Sequence, residues 1–292
     1  MKVNKMTNNK TSNEKQRSTN KQHITIEPRR NFITLFIIKI KKIMKKLNLL
    51  IAIFLVVIAS TSTSCEKIET EMRSYSFSVS RNNSPLSNSR VSIATENQDY
   101  SVETDNEGNC QINIPNTVAL PEYVIATIDH NGIRPYALSV SGAINAKSNI
   151  PMNCQNVPSR VLVKQVALHH LGDDIYNGSE NSQLQLPAEG SEKSLTFTLT
   201  SIPGSMPRLR IYTRGVQRTG QIQINGRIVG TLNESALNGD LSLWDFQLNA
   251  AGSSLSQIFR IGNNVLKIKP GLSGGSDTWD DIEFCALLLY YK

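Results

Sequence analysis

Short runs of alternating or β-branched residues, separated by turn residues, recur along the chain from Tyr75 onward. Clear examples are residues 75–79, 90–94, 100–103, 111–114 and 123–128. A spacing of about 8–12 residues between such runs is typical of a β-sandwich or barrel. No segment combines a sustained 3.6-residue period with helix caps. The sequence therefore predicts an all-β fold.

The strongest local signal is the pair Asn225-Gly226, which stands between the apolar alternations of residues 221–224 and 227–230. Asn-Gly between two strands is typical of a type I′ hairpin, because both central residues must adopt positive φ. Residues 195–199 also alternate cleanly, as do Leu209 and Ile211. We therefore expect a second group of strands beyond residue 160.

A short apolar segment precedes Cys65. Lys45 and Lys46 lead into an apolar run at residues 47–59, and small polar residues fill positions 60–64. That order is typical of a secretory signal, and the cysteine after it resembles the lipobox of bacterial lipoproteins, in which the sulfur is acylated and the chain is cut before it. The run is shorter than the roughly 20 residues of a membrane-spanning helix. The sequence predicts a lipoprotein signal peptide at residues 44–64, with a plain signal peptide as the alternative.

Residues 1–43 are rich in Asn, Lys, Thr and Ser. They are interpreted as an over-extended gene start or a disordered basic arm. Residues 1–64 hold 13 of the 31 Lys and Arg but only Glu14 and Glu27 among the 24 acids. Residues 65–292 thus carry 18 basic and 22 acidic side chains, a net charge of about −4. The whole-chain charge of +7 is therefore no indication of a nucleic-acid partner.

The tether predicted at residues 65–72 is acidic, with Glu66, Glu69 and Glu71 close behind Cys65. Acidic residues at this place resemble the surface-export signal of lipoproteins in the Bacteroidetes group. The resemblance implies an exported protein that is anchored to a lipid bilayer through acylated Cys65. The expected location is the outer membrane or the cell surface.

Two stretches within residues 73–154 resemble carboxypeptidase regulatory-like and transthyretin-like domains. Residues 84–93 resemble their "G-x-P-L-x-x-A-x-V" opening, with Ser84 where glycine is usual. Residues 104–112 resemble their "T-D-x-x-G-x-F-x-I" hairpin, with Cys110 where an aromatic residue is usual. Asp105 and Asn106 favour a turn there, and Gly108 can supply positive φ. The resemblance implies a small, seven-stranded immunoglobulin-like or transthyretin-like sandwich with a spacer role.

Residues 155–165 are predicted to be a linker, and residues 166–292 a second domain. An "I-x-I-N-G-x-x-V-G" hairpin from Gln221, a "G-x-N-x-L-x-I" strand from Gly262 and "D-D-I-x-F" from Asp280 resemble galactose-binding-like jelly rolls. The order of the two domains is similar to the accessory domains of rhamnogalacturonan lyases, whose catalytic portion has no counterpart here. The resemblance implies a β jelly roll with a glycan-related role.

Carbohydrate binding needs an exposed aromatic ring with polar groups beside it. The predicted sugar-binding residues are Trp279, Tyr212, Arg214 and Trp244. Trp279 follows a Gly/Ser/Asp-rich loop, and Tyr212 and Arg214 occupy the outward register of their strand. Trp244 has Phe246 at its own parity, so a core position is the alternative for it.

Metal binding is not predicted from the histidines. His169, His170, Asp173 and Asp174 form the one histidine–carboxylate cluster of the sequence. Adjacent residues of a strand point to opposite faces, however, so two neighbouring histidines seldom share a metal ion.

Asp280 and Asp281 are weak candidates for a structural calcium ion, which oxygen ligands would hold. The alternative is a plain turn before the last strand. No other cofactor is expected.

Cys110, Cys154 and Cys285 remain after Cys65. An exported protein meets an oxidising compartment, so a Cys110–Cys154 disulfide is one alternative and buried free thiols are the other.

No nucleophile–base arrangement, phosphate-binding loop or paired-carboxylate motif is evident. The sequence therefore predicts a non-catalytic cell-surface lipoprotein that binds carbohydrate through its C-terminal jelly roll. One alternative is a structural or adhesive subunit of a surface protein assembly. Another is an unrecognised polysaccharide-active enzyme.

Overall fold

The computed structural model describes residues 36–48, 51, 71–143, 149–157, 160–174, 184–204, 206–234, 240–248, 254–272 and 278–291. The chain separates into two units, residues 1–68 and 69–292. In the first unit, residues 36–48 and 51 are helical. Within the described parts, no helix is both long and apolar enough to cross a membrane. Cys65 and most of the predicted signal segment lie outside the described residues.

The second unit is almost entirely β, which confirms the predicted fold class, and its first half forms a sandwich of two antiparallel-rich sheets. Its strands are β1 Met72–Arg81, β2 Ser84–Pro85, β3 Arg90–Ala94, β4 Asp99–Glu103, β5 Asn109–Pro115, β6 Tyr123–Asp129, β7 Tyr136–Ser141 and β8 Asn149–Cys154. Sheet I has the order β2-β1-β5, with β8 parallel to β1. Sheet II has the order β4-β3-β6-β7. Alternate residues of β1, among them Tyr75 and Phe77, are fully buried between the two sheets.

The predicted Asp105–Gly108 turn forms, but it is not the turn of a hairpin. Asp105 Oδ1 accepts the N–H groups of Glu107 (3.0 Å) and Asn109 (2.8 Å), and Gly108 has φ +76°. The strands on either side belong to different sheets, because β4 pairs with β3 and β5 pairs with β1. The segment therefore crosses from sheet II to sheet I. A Cβ on Gly108 would lie 2.4 Å from the Val79 carbonyl oxygen, so glycine is also needed for space.

The second half of the unit is another sandwich. Its strands are β9 Arg160–Gln165, β10 His169–Leu171, β11 Lys193–Leu199, β12 Arg208–Arg214, β13 Gly220–Ile224, β14 Arg227–Leu232, β15 Ser242–Gln247, β16 Gly262–Lys269 and β17 Ile282–Tyr291, with one short helix, Leu255–Ile258. Sheet III has the order β10-β17-β12-β15, with β9 also on β17, and sheet IV has the order β11-β16-β13-β14. Strand β9 lies wholly within residues 155–165, the segment predicted to be a linker.

The Asn225-Gly226 hairpin is confirmed. Ile224 pairs with Arg227 across a two-residue loop, and φ is +51° at Asn225 and +82° at Gly226, as a type I′ turn requires. The turn is fastened to the neighbouring strand, because Asn225 Nδ2 donates to Oδ1 of the fully buried Asn264 at 2.7 Å.

Sheets II and III pack against each other, so the two sandwiches share an apolar interface. Strand β6 has buried residues on both faces: Val124 and Ala126 enter the core of the first sandwich, and Ile125 joins the interface. Strand β17 does the same through a bulge at Ala286, where φ is +48°. The extra residue places both Cys285 and Ala286 in the interface. This contact positions the candidate site.

Candidate functional site

Strand β12 carries side chains to both faces of sheet III. Leu209 and Ile211 point into the core of the second sandwich. Arg210, Tyr212 and Arg214 alternate with them and therefore point toward the first sandwich. The predicted register of this strand is confirmed, and its outward face is the one that meets sheet II.

A cleft opens between the two sandwiches where this face is only partly covered. Its volume is about 210 Å³, below the roughly 300–1,000 Å³ of pockets that enclose a drug-sized molecule. A cleft of this size has room for one ring-sized group. The lining residues are Arg134, Pro135, Tyr136, Asn153 and Gln155 of the first sandwich and Arg210, Tyr212 and Leu243 of the second.

Two tyrosines form the aromatic part of the cleft. The rings of Tyr136 and Tyr212 lie 6.0 Å apart at 77°, an edge-to-face arrangement that fixes both rings. Burial raises the pKa of Tyr212 to about 12 and also raises the pKa of Tyr136, so both hydroxyl groups keep their protons near neutral pH. The cleft thus combines apolar ring surface with hydroxyl groups that can both donate and accept hydrogen bonds.

Two arginines flank the tyrosines. Arg134 donates from Nε to the Asn156 carbonyl (3.1 Å) and from Nη1 to Gln155 Oε1 (3.1 Å). Its guanidinium also lies 5.6 Å from the ring centre of Tyr290, which links the sandwiches by a cation–π contact. These contacts hold the guanidinium of Arg134 in place at the rim of the cleft.

Arg210 reaches the cleft from sheet III with 15% of its side chain exposed. Its Nε lies 3.7 Å from Asp245 Oδ2, while Asp245 Oδ1 accepts a shorter bond of 2.9 Å from Arg208 Nε. One carboxylate is therefore divided between two guanidinium groups. The group of three carries a net positive charge.

Arg214, predicted as a sugar contact, lies instead inside the interface. It is 0% exposed, and its Nε and Nη2 both donate to Glu283 Oε2, the Nε bond at 3.0 Å. Its Nη1 donates to the Tyr123 carbonyl of the first sandwich at 2.6 Å. The outward register was predicted correctly, but the sequence could not show that sheet II covers this end of β12. Arg214 joins the two sandwiches and is out of reach of a ligand.

Glu283 extends this buried network through Gln185. Its Oε1 accepts the backbone N–H groups of Gln185 and Leu186, the latter at 2.9 Å. The Gln185 side chain then spans the interface: its Oε1 accepts the Ile125 N–H at 2.7 Å, and its Nε2 donates to the Ala94 carbonyl. Every charge in this buried network is paired, as stability requires. The two halves of the cleft are thereby held in a fixed relation.

The two tryptophans lie elsewhere. Trp244 is half-buried on the core face of β15, stacked with Phe246 at 6.3 Å, and its Nε1 donates to Thr213 Oγ1 at 2.8 Å. Trp244 thus occupies a core position, which is the alternative that the sequence indicated for it. Trp279 is half-buried as well, and its backbone N–H donates to Asp173 Oδ2 at 2.7 Å. Neither residue lines the cleft, and the loop at residues 273–277 lies outside the described residues.

A second cluster consists of His170, Asp174 and Asp281, whose potential ligand atoms all lie within 4.8 Å of one another. His170 is fully buried, and its Nδ1 and Nε2 face the Leu186 carbonyl (2.5 Å) and Asp281 Oδ1 (3.1 Å). Burial opposes a charged ring, but the two hydrogen bonds and the nearby Glu283 charge outweigh it and raise the pKa of His170. The described residues with the donor set for a divalent cation are these three.

Asp280 and Asp281, the weak calcium candidates, serve different partners. Asp281 faces His170, whereas Asp280 Oδ2 accepts the backbone N–H groups of Gln217 and Arg218, both at 2.9 Å. Burial raises the pKa of Asp280 to about 6. A calcium ion here stays a prediction.

Cys110, Cys154 and Cys285 are free thiols. The Cys110–Cys154 bridge is not formed because β5 and β8 lie on opposite sides of β1, where Cys110 pairs with Phe77 and Cys154 with Arg81. Two strand spacings amount to about 9–10 Å, more than the roughly 7 Å that a disulfide spans between Cα atoms.

Four of the eight cleft residues lie within residues 73–154, the predicted spacer domain, and a fifth, Gln155, is the first residue of the predicted linker. Arg134, Pro135 and Tyr136 follow the turn at Gly132, Asn153 lies in β8, and Gln155 follows directly after that strand. They form no sequence motif. The fold of the first sandwich brings these five together, as the bond from Arg134 to Gln155 shows, and the packing of the two sandwiches adds Arg210, Tyr212 and Leu243. Of the eight, Tyr212 alone was predicted from the sequence.

No protein-family model and no curated protein matches the chain. Similar solved structures include the major pilin subunit BcpA of Bacillus cereus, at 12% identity and a TM-score of 0.21, over 70% of this chain and 61% of that protein. The glycoside hydrolase family 86 β-porphyranase BpGH86A of Bacteroides plebeius is similar at 14% identity and a TM-score of 0.23, over 75% of this chain and 33% of that protein. The CBM51-2 and INT domains of Clostridium perfringens ZmpB, with CBM51-2 in complex with GlcNAc, are similar at 7% identity and a TM-score of 0.24. That match covers 75% of this chain and 48% of the other. The chain spans less than two thirds of each, and likeness at these TM-scores carries no functional argument.

Proposed function

We propose that this chain binds carbohydrate in the cleft between its two β-sandwiches and acts by recognition rather than turnover. The observation that carries the proposal is the composition of the cleft, in which Tyr136 and Tyr212 supply ring surface among arginine and amide side chains. Sugar rings have apolar faces and hydroxyl edges, so a site of this kind offers contacts to both. The cleft volume of about 210 Å³ suits a single sugar unit, with the rest of the glycan outside.

We further propose that the chain is exported and anchored by acylation of Cys65, so that the cleft faces extracellular or periplasmic glycans. The support is the charged, apolar and small-residue order of residues 45–64. Growth with a labelled fatty acid tests the anchor. Label should enter the wild-type chain and be absent from the Cys65→Ala variant; label in both would contradict the anchor.

A blocking substitution at Leu243 tests the cleft. Leu243 lines the cleft and is 44% exposed, so Leu243→Trp adds bulk to the opening without disturbing the core. The matched control is Ile228→Trp, at a residue 57% exposed on β14 that does not line the cleft. Both variants should keep the wild-type unfolding midpoint, because neither position is buried.

The assay is an array of plant and host polysaccharides, followed by titration of the full-length chain in detergent. Wild type and Ile228→Trp should bind the same glycans, and Leu243→Trp should lose at least about tenfold in affinity, about 1.4 kcal/mol. Equal binding by all three proteins would contradict the cleft as the site. Absence of any binding at millimolar glycan would contradict carbohydrate recognition itself and favour a structural or adhesive role.

A further inference from the structure

The charge of the cleft restricts the class of sugar that the cleft can bind. Resting on the proposed carbohydrate recognition, we infer that the cleft selects an acidic sugar, a uronic acid whose carboxylate binds between Arg134 and Arg210. The eight described residues that line the cleft include these two arginines and no Asp or Glu. A neutral sugar carries no charge that could balance such a pair.

The two guanidinium groups arrive from different sandwiches. Arg134 follows the turn before β7, and Arg210 projects from β12. Arg134 is held by Gln155 and the Tyr290 ring, whereas the side chain of Arg210 is restricted by burial, with 15% of it exposed, and is only loosely paired with Asp245 at 3.7 Å. Guanidinium groups that are already held in place lose little side-chain entropy when they bind an anion.

The neutralisation of Arg210 is incomplete. The Asp245 carboxylate lies 3.7 Å from Arg210 Nε but accepts its shorter bond, 2.9 Å, from Arg208. At the other wall, the partners of Arg134 are neutral: a carbonyl, an amide oxygen and an aromatic ring. The cleft therefore holds an excess of positive charge, although residues 65–292 carry about four more acidic than basic side chains.

A carboxylate is the sugar substituent that this arrangement suits. The planar guanidinium group presents paired N–H donors whose spacing matches the two oxygens of a carboxylate, and such charge-assisted hydrogen bonds are roughly twice as strong as neutral ones. The tyrosines line the same cleft as the arginines, and the sugar ring would lie beside them. The tyrosines thus provide the general affinity for sugar, and the arginines provide the selection for charge.

The test compares acidic and neutral sugars of the same stereochemistry. The full-length chain in detergent is titrated with D-galacturonate and D-galactose, and with D-glucuronate and D-glucose, at low and high salt. At least one uronate should bind tenfold or more tightly than its neutral partner. That preference should shrink at high salt, because salt screens exposed charges.

Variants assign the preference to the two arginines. Arg210→Gln and Arg134→Gln should each bring uronate affinity down toward that of the neutral sugar, while Arg210→Lys, which keeps the charge, should retain part of it. Arg227→Gln, at an exposed residue of β14 that does not line the cleft, removes the same charge and should change nothing. Unfolding midpoints of all variants show whether each one is folded.

The outcomes separate this inference from the proposed function. Equal affinity for uronate and neutral sugar, blocked in both cases by Leu243→Trp, would overturn the acidic selection and leave carbohydrate binding in place. A uronate preference unchanged in Arg134→Gln and Arg210→Gln would also overturn it. Binding of none of the four sugars and of no glycan on the array would contradict both.

Discussion

Replacing Arg214 by methionine tests the buried ion pair that joins the sandwiches. Arg214 and Glu283 are both 0% exposed. The substitution removes two hydrogen bonds to Glu283 Oε2 and the bond to the Tyr123 carbonyl. It leaves the Glu283 carboxylate buried, with only backbone N–H donors on Oε1.

The expected cost follows from these contacts. Removing one partner of a buried ion pair costs about 3–5 kcal/mol, because the other charge stays buried without its counter-charge. The orphaned Tyr123 carbonyl adds about 1 kcal/mol. We therefore expect Arg214→Met to lose about 4–6 kcal/mol, a large share of the roughly 5–15 kcal/mol that stabilise a folded domain.

Two further variants sharpen the test. The double variant Arg214→Met with Glu283→Gln removes both charges while the amide oxygen can still accept from the Gln185 and Leu186 N–H groups, so it should be more stable than Arg214→Met alone. Arg210→Met, on the same face of β12 but 15% exposed and only loosely paired, should cost less than about 1 kcal/mol.

Urea unfolding of the full-length chain measures these free energies with two probes. Tryptophan fluorescence reports the second sandwich, which holds both Trp244 and Trp279, and far-UV circular dichroism reports both sandwiches. The two curves should coincide in wild type and separate in Arg214→Met, since the interface is weakened. A loss below 1 kcal/mol with coincident curves would refute the role given to the pair.

Three other predictions concern the thiols, an aspartate and a turn. Burial raises the pKa of Cys110 and Cys154 to about 11, so a thiol reagent should label native Cys154 slowly at pH 8 and rapidly in urea; fast native labelling would be inconsistent with its burial. Because the pKa of Asp280 is about 6 in the native state and near 4 when unfolded, native protein holds more protons between those values, so its contribution to stability falls as pH rises from 4 to 6. Asp280→Asn should remove that slope from urea midpoints measured at pH 4, 5, 6 and 7, and an unchanged slope would exclude this residue as its source. Gly226→Ala should lower the free energy of unfolding in urea by about 1 kcal/mol through its positive φ alone, because no atom lies within 4 Å of the added Cβ. Gly204→Ala, where the space is equally open but φ is not positive, should leave the free energy of unfolding unchanged. Equal effects of the two substitutions would count against backbone strain.

Local rules predicted much of the fold. Alternation identified the strands, and Asn225-Gly226 specified its hairpin because the turn type depends on two adjacent residues. Asp105 and Gly108 specified a turn for the same reason. Local rules could not predict which sheets this turn connects, because the partner strands of β4 and β5 are determined by long-range pairing.

The site depended on information that is not local. All ten residues of β17 are buried or nearly buried, so the sequence pattern gives no sign of the change of register at Ala286. That bulge directs Cys285 and Ala286 to the interface. Nothing in the order of these residues reveals it. The alternation of β12 similarly predicts an exposed Arg214, whereas sheet II covers and buries it in the structure. Tyr212 was predicted because its register and its chemistry could both be read from one strand.

Hydrogen–deuterium exchange with a bound glycan tests most directly whether the cleft is the binding site. The full-length chain would be compared with and without a glycan found on the array. Slower exchange should be concentrated in peptides that contain Tyr136, Gln155, Tyr212 and Leu243, on both sides of the cleft. Protection confined to the segment around Trp279, with the cleft peptides unchanged, would contradict the site.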